Sequence, residues 1–274
     1  MDQLSQRVGR YNVALLKDGI FDAPPEVLTH VGGADQQAAM LARWGQSRVQ
    51  MAVNCFLLDD DGDVTLVDAG TGTAWGAAFG HARAALDRRG IAPDRVARVL
   101  LTHIHGDHAL GLFGPHDEAY FRNAEILVPA RDLAYFTDEL SRATVPKARQ
   151  GGFDIATKLQ HVYRGRIRTF AEGHVLPEVE ALPLPGHTPG HTGYLIGSDA
   201  KKLLIWADLL HIADLQAADP NVGLVFDLDA GQAAQTRRTA LGRAAEKGWT
   251  VAGAHVDGFL KVVTSHGSFA CVPA

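Results

Sequence analysis

The segment LLTHIHGDHALG, residues 100–111, constrains the fold more than any other stretch of the chain. An apolar run stops there, and His103, His105, Asp107 and His108 follow within six positions. Titratable side chains at the end of a buried strand are costly to bury without partners. Crowded imidazoles repel one another when charged and need hydrogen bonds when neutral. A metal ion removes both problems, because His nitrogen and carboxylate oxygen are donors for Zn²⁺ and similar ions. In extended backbone, alternate residues point the same way, so His103 and His105 can ligate one ion together. Asp107 and His108 lie one turn further, aimed at an adjacent position. The spacing predicts two ions rather than one.

A pair of ions needs more ligands. The segment LPLPGHTPGHTGY (182–194) offers His187 at a strand-to-turn corner fixed by Pro and Gly. In LLIWADLLH (203–211), Asp208 ends an apolar strand, where a carboxylate is expensive unless paired or coordinated. His255 in VAGAHVDG (251–258) is in the same circumstance. Together they complete two sets. His103, His105 and His187 serve one ion, Asp107, His108 and His255 the other, and Asp208 is shared between them. Both sets are then full, so His191 is read as a structural hydrogen-bonding residue. His116, His161, His174 and His266 are read as surface residues, and Arg164, Arg166 and Arg168 as a solvated charged face.

The rest of the chain reads as mixed strands and helices. Short β-branched runs at 49–58, 63–70, 95–102, 124–130, 179–185, 192–197, 202–208 and 250–256 predict strands, with an edge strand at 259–265. Trp75, Ala78, Phe79, Ala82 and Leu86 recur at helical spacing and predict a helix over 73–90. Helices are also expected at 131–140 and at 229–249, with Asp229 as N-cap. Residues 141–168 lack strand periodicity and are read as a helical lid or insertion. This order predicts two sheets packed on each other with helices outside, a layered α/β sandwich, in one domain over 1–274.

Composition narrows the function. The formal charge of −5 offers no electrostatic pull on nucleic acid or anionic membrane, which weighs against a nuclease. No apolar run approaches membrane-spanning length. The start, MDQLSQRVGR, lacks an apolar signal core, so a cytoplasmic location is expected. The two cysteines, Cys55 and Cys271, are in no paired spacing, so no disulfide framework is indicated.

The segments THIHGDH and PGHTPGH, with Asp208, His255 and TLVDAGTG (65–72), resemble the metallo-β-lactamase-fold metallohydrolases. The likeness runs from about Asn54 to His255. It implies a four-layer αβ/βα sandwich of two mixed sheets flanked by helices. It implies two divalent ions per chain, Zn²⁺ by default and Mn²⁺, Co²⁺ or Fe²⁺ with the same donors. The implied chemistry is hydrolysis by a hydroxide held between ions about 3.5–4 Å apart. Asp107 would also pass a proton to the leaving group, and Asp208 would bridge the ions. In the resemblance, a bridging Asp marks lactonases, glyoxalase-II-like enzymes, phosphodiesterases and phosphotriesterases rather than true β-lactamases. Flavodiiron members carry Glu where this chain has His105. The chain is most similar to the methyl parathion hydrolase and lactonase-like group, through residues 11–28, 206–212 and 227–238. Acyl-homoserine lactonases of this fold have Tyr three residues after the bridging Asp, where this chain has His211. The expected substrate is a small ester or lactone, with phosphotriesters included. The competing reading is a mononuclear iron enzyme of the persulfide dioxygenase type. A homodimer through the N-terminal segment is implied by resemblance only. Asp68 in LVDAG is a candidate to orient a ligand imidazole, with a turn-capping role as the alternative. His211 is a candidate to reach the substrate.

Overall fold

The computed structural model describes residues 4–60, 62–198 and 201–274. The first half runs β1 (Ser5–Val8), β2 (Tyr11–Ala23), β3 (Leu28–His30), α1 (Ala34–Trp44), β4 (Val49–Asp59), β5 (Val64–Val67), α2 (His81–Asp87) and β6 (Val96–Leu100). It continues through α3 (Gly106–Ala109), β7 (Glu125–Pro129), α4 (Ala130–Phe136), α5 (Glu139–Thr144), α6 (Gly151–Val162) and β8 (Ile167–Phe170). The second half is β9 (Gly173–Leu176), β10 (Val179–Pro183), β11 (Thr192–Ile196), β12 (Leu203–Ile205), α7 (Ala213–Ala218) and β13 (Val222–Leu224). It ends with α8 (Ala230–Lys247), β14 (Thr250–Ala252), β15 (Leu260–Ser265) and β16 (Ser268–Pro273).

One seven-stranded sheet has the order β1-β2-β4-β5-β6-β7-β8, and a second has β16-β15-β14-β12-β11-β10-β9. Alternation along each strand feeds two different cores. In β2, Val13 and Leu15 face the second sheet, where they meet Val179, Tyr194 and Ile205. Their neighbours Ala14 and Leu16 face outward, into a core shared with Ala82 and Leu86 of α2 and Phe153 and Leu159 of α6. The second sheet's outer face packs Leu195, Leu204 and Val251 against Ala240, Leu241 and Ala244 of α8. The result is four layers, helix, sheet, sheet, helix, as the pattern of elements implied.

The strands that matter most are parallel. β5, β6 and β7 run side by side in the first sheet, and β12 and β14 in the second. Open sheets of this kind bind ligands beyond the carboxyl ends of their strands. The loops after β5, β6, β12 and β14 carry Asp68, the HxHxDH run, Asp208 and His255.

Several expectations from sequence are corrected. Only His81–Asp87 of the expected helix 73–90 is helical. Gly76 and Gly80 take φ of 81° and 79°, outside the helical region, and a Cβ on Gly80 would lie 2.1 Å from the Gly72 carbonyl oxygen. Trp75 and Phe79 instead meet edge-to-face, 5.4 Å apart, beside a cavity. The strand at 250–256 ends at Ala252. Residues 259–265 are no edge: β15 pairs with both β14 and β16. Residues 141–168 hold α5 and α6 but end in the first residues of β8, an edge strand. Asp229 caps α8, accepting from the Gln232 amide at 2.9 Å.

Candidate metal centre

The predicted donors converge where the two sheets' loop ends meet. Among the described residues, four groups of three side chains offer donor atoms within 4.8 Å of one another. They are His103–His105–His187, His103–His108–Asp208, Asp107–His108–His255 and His187–Asp208–His211. All seven residues of the two expected sets are thus brought together, and Asp208 stands between the sets. Its Oδ2 is 3.2 Å from His187 Nε2, 3.1 Å from His255 Nε2 and 3.2 Å from His211 Nε2. Its Oδ1 is 3.1 Å from His108 Nε2. Asp107 Oδ2 lies 3.6 Å from His108 Nε2 and 3.5 Å from His255 Nε2.

Partners on the outer side of each ring fix which nitrogen faces inward. His255 Nδ1 lies 2.7 Å from the Ala52 carbonyl, which can only accept, so Nδ1 carries the proton. His187 Nδ1 donates to the Asp227 carboxylate at 2.9 Å. His108 Nδ1 donates to Asp68 Oδ2 at 2.8 Å. The Thr102 hydroxyl donates to the same Asp68 oxygen at 2.8 Å, which leaves it free to accept from His103 Nδ1 at 3.0 Å. Four imidazoles therefore turn an Nε2 lone pair to the centre. His105 brings its Nδ1, 3.1 Å from His103 Nε2 and 3.0 Å from His187 Nε2.

Lone pairs this close repel unless a proton or cation lies among them. Ligand atoms around a tetrahedral ion bound at about 2.0–2.1 Å stand about 3.3–3.4 Å apart, close to the spacings seen here. His108 Nε2 and Asp208 Oδ1 are 3.1 Å apart, yet neither makes a hydrogen bond among the described residues. They are aimed at a common space rather than at each other. The donor set therefore fits divalent metal ions.

Electrostatics set the rings apart from one another. Burial would raise the Asp208 carboxyl, but His108, His255 and His103 outweigh it and hold it well below the usual carboxylate range. Burial would lower His187, but Asp208 and Asp227 push it up to about 9. His103 and His105 are driven well down by burial and by neighbouring imidazoles, which outweigh the pull of Asp208. Each proton held here by a carboxylate is one that a bound cation displaces.

The remaining candidates sort themselves by their partners. His191 donates from Nδ1 to the Leu184 carbonyl at 2.8 Å and accepts the Asp208 amide on Nε2 at 3.1 Å. Both nitrogens are used, so it positions Asp208 and offers no inward donor. Asp68 orients His108 and holds Thr102; it takes a left-handed φ of 60° at the start of its turn, but the turn's Thr71 amide is held by Asp18. His211 is buried, stacked 4.6 Å from His255, and its Nδ1 makes no hydrogen bond among the described residues. His116, His161, His174 and His266 are exposed. Arg164 and Arg168 are exposed as well, and the arginine that reaches the cavity is Arg149, which donates to the Val225 carbonyl. Cys55 is buried core, and both cysteines are free.

Three buried acids were not legible in advance. Asp227 orients His187 and is itself held by the Leu224 amide at 3.3 Å. Asp18, turned inward at a bulge in β2, accepts from Thr71 N at 2.9 Å and Ala82 N at 3.1 Å, bracing the loop that carries Asp68. Asp132, in the first turn of α4, accepts from Ile104 N and Gly190 N. Burial pushes its carboxyl up to about 6. Asp227→Asn is expected to weaken binding of the ion at His187 by about 10–100-fold, read by chelator competition, because the imidazole loses its anionic partner.

The centre opens on a cavity of about 640 Å³. Phe21, Trp75, Phe136, Phe153, Phe226 and Leu228 are among its walls, with Asp107, Asp208, His211 and His255 at its base. The sequence model of the Metallo-beta-lactamase superfamily matches residues 48–255. The chain belongs to the metallo-β-lactamase superfamily. Every donor described above lies within that match.

This superfamily member has a curated relative in the uncharacterized protein YobT of Bacillus subtilis (strain 168). The two are 29% identical over 160 residues, which is 55% of this chain. The match spans 63% of that relative's own length. Among solved structures, the hydrolase AbOPH in the beta lactamase superfamily aligns with a TM-score of 0.87 at 24% identity, covering 98% of this chain and 96% of that one. AidC, a dizinc quorum-quenching lactonase in complex with a product, aligns with a TM-score of 0.85 at 21% identity, covering 100% and 99%. At these identities the likeness establishes the fold.

Proposed function

We propose that this chain is a hydrolase that uses two divalent metal ions to open lactones or cleave esters, phosphotriesters included. The observation that carries the reading is Asp208: one buried carboxylate ringed by the Nε2 atoms of His108, His187 and His255 at 3.1–3.2 Å, at the base of an apolar cavity. His103, His105 and His187 hold one ion, and Asp107, His108 and His255 the other, with Asp208 shared. Imidazole and carboxylate donors suit Zn²⁺. Ions bound there supply Lewis acidity and an acidified water at neutral pH.

The chain's own groups do the rest. Asp68 and Asp227 fix the tautomers and directions of His108 and His187. Asp107, the more exposed of the two acids at the centre, is placed to take a proton and return it to the leaving oxygen. The aromatic walls exclude water and favour an apolar arm on the substrate. His211 meets the substrate at the cavity base. No serine or cysteine nucleophile is needed. The neighbouring dizinc lactonase and hydrolase structures agree with this reading.

The test is proton release in a pH-stat on Zn²⁺- or Mn²⁺-loaded protein. The panel holds γ- and δ-lactones, an aryl ester and a methyl phosphotriester, each with a chelator control. Chelator-sensitive release on one class is expected and names the branch. No release on any class, with oxygen uptake on a glutathione persulfide, would instead support the iron oxygenase.

A further inference from the structure

The three-histidine donor group is drawn from two loops on different sheets. His103 and His105 follow β6, while His187 lies in the turn between β10 and β11. Strand-level bonds join the roots of these loops: Thr192 N donates to the Thr102 carbonyl at 3.0 Å, and the Tyr194 hydroxyl to the Leu101 carbonyl at 2.7 Å. Nearer the tips, the link comes from a third element. Asp132, 0% exposed in the first turn of α4, accepts from Ile104 N on Oδ2 at 2.7 Å and from Gly190 N on Oδ1 at 2.9 Å.

Ile104 sits between His103 and His105, and Gly190 stands three residues past His187. One rigid carboxylate thus sets the distance between the two backbones. The fit is close: a Cβ on Gly190 would lie 2.3 Å from the Asp132 amide nitrogen. Burying a carboxylate is costly, and two buried amides left without an acceptor would cost as well. An apolar residue at 132 would avoid the first cost only by incurring the second.

We propose that Asp132 is a positioning residue that sets the spacing of His103 and His105 against His187, and so tunes the three-histidine ion site and not the Asp107–His108–His255 site. This rests on the reading of the centre as a two-metal site. Among the described residues no hydrogen bond joins Asp132 to a donor side chain; its bonds are to the backbone of Ile104 and Gly190.

The experiment is a Co²⁺ titration of metal-free wild type and Asp132→Asn, followed by visible absorption and by competition with a chromophoric chelator. Asn keeps the volume but turns an N–H toward one of the two amides. The expected result is that one Co²⁺ equivalent weakens by about 10–100-fold with altered visible bands, while the other binds as in wild type. Asp132→Ser, short enough to let water reach the amides, is expected to show the same selective loss. Two unchanged equivalents would overturn the proposal, even with a lower Tm, and so would equal weakening of both. Failure of both variants to fold, with metal-free wild type folded, would overturn a role confined to positioning. Wild type binding fewer than two equivalents would instead overturn the two-metal reading itself.

Discussion

Asp208→Ala is expected to lower kcat/KM by about 10³-fold or more, with far-UV circular dichroism unchanged. The magnitude follows from losing the shared ligand, since metal polarisation supplies several kcal/mol of transition-state stabilisation. No other side chain replaces it. Asp208 alone among the described residues lies within 3.2 Å of donors from both sets, and His191 fixes its backbone from behind at 3.1 Å. The fold should persist because the carboxylate contacts site residues and adds no apolar area to the three main cores. Asp208→Asn sharpens the result. It keeps the volume, removes the charge that offsets His108 and His255, and should lose activity nearly as fully. Full activity in Asp208→Ala would contradict the proposed centre.

Stripping metal is the second large effect. An ion present at 1,000 times its Kd stabilises the native state by about 4 kcal/mol. In a domain of this size each kcal/mol moves Tm by about 2 °C, so chelation should lower Tm by about 8 °C per ion removed. The structural reason is visible in the three-histidine group. His105 Nδ1 faces His103 Nε2 and His187 Nε2 at 3.1 and 3.0 Å, a crowding of ring nitrogens that a bound cation would relieve. Scanning calorimetry with and without chelator, followed by Zn²⁺ re-addition, checks the size and reversibility of the shift. A Tm insensitive to chelator would mean that no tightly held ion contributes to the native state.

What could be read from the sequence follows from which residues carry a local signal. The HxHxDH run is dense enough to point to metal by itself. Asp208 and His255 stand out as polar residues beside apolar strands, although β14 ends three residues before His255. Asp227 and Asp132 carry no such mark. One lies in a loop between Phe226 and Leu228, with no predicted strand or motif beside it to mark it, and the other is an acid in a helix's first turn, an ordinary position for it. Their roles arise only when distant loops meet. The helix expected at 73–90 failed because apolar spacing was satisfied while Gly76 and Gly80 supplied left-handed backbone. β2 has no clean period to find, because both of its faces are buried and its pairing with β4 shifts between Lys17 and Gly19. β16, which makes β15 an interior strand, is short and only half-buried.

In the proposed centre, seven side chains hold two ions across Asp208. The most direct measurement is an anomalous difference map from crystals of the Zn²⁺-loaded protein, recorded on both sides of the zinc edge. Two peaks about 3.5–4 Å apart are expected, one among His103, His105 and His187, the other among Asp107, His108 and His255, with Asp208 touching both. A single peak, or zinc bound away from Asp208, would contradict it.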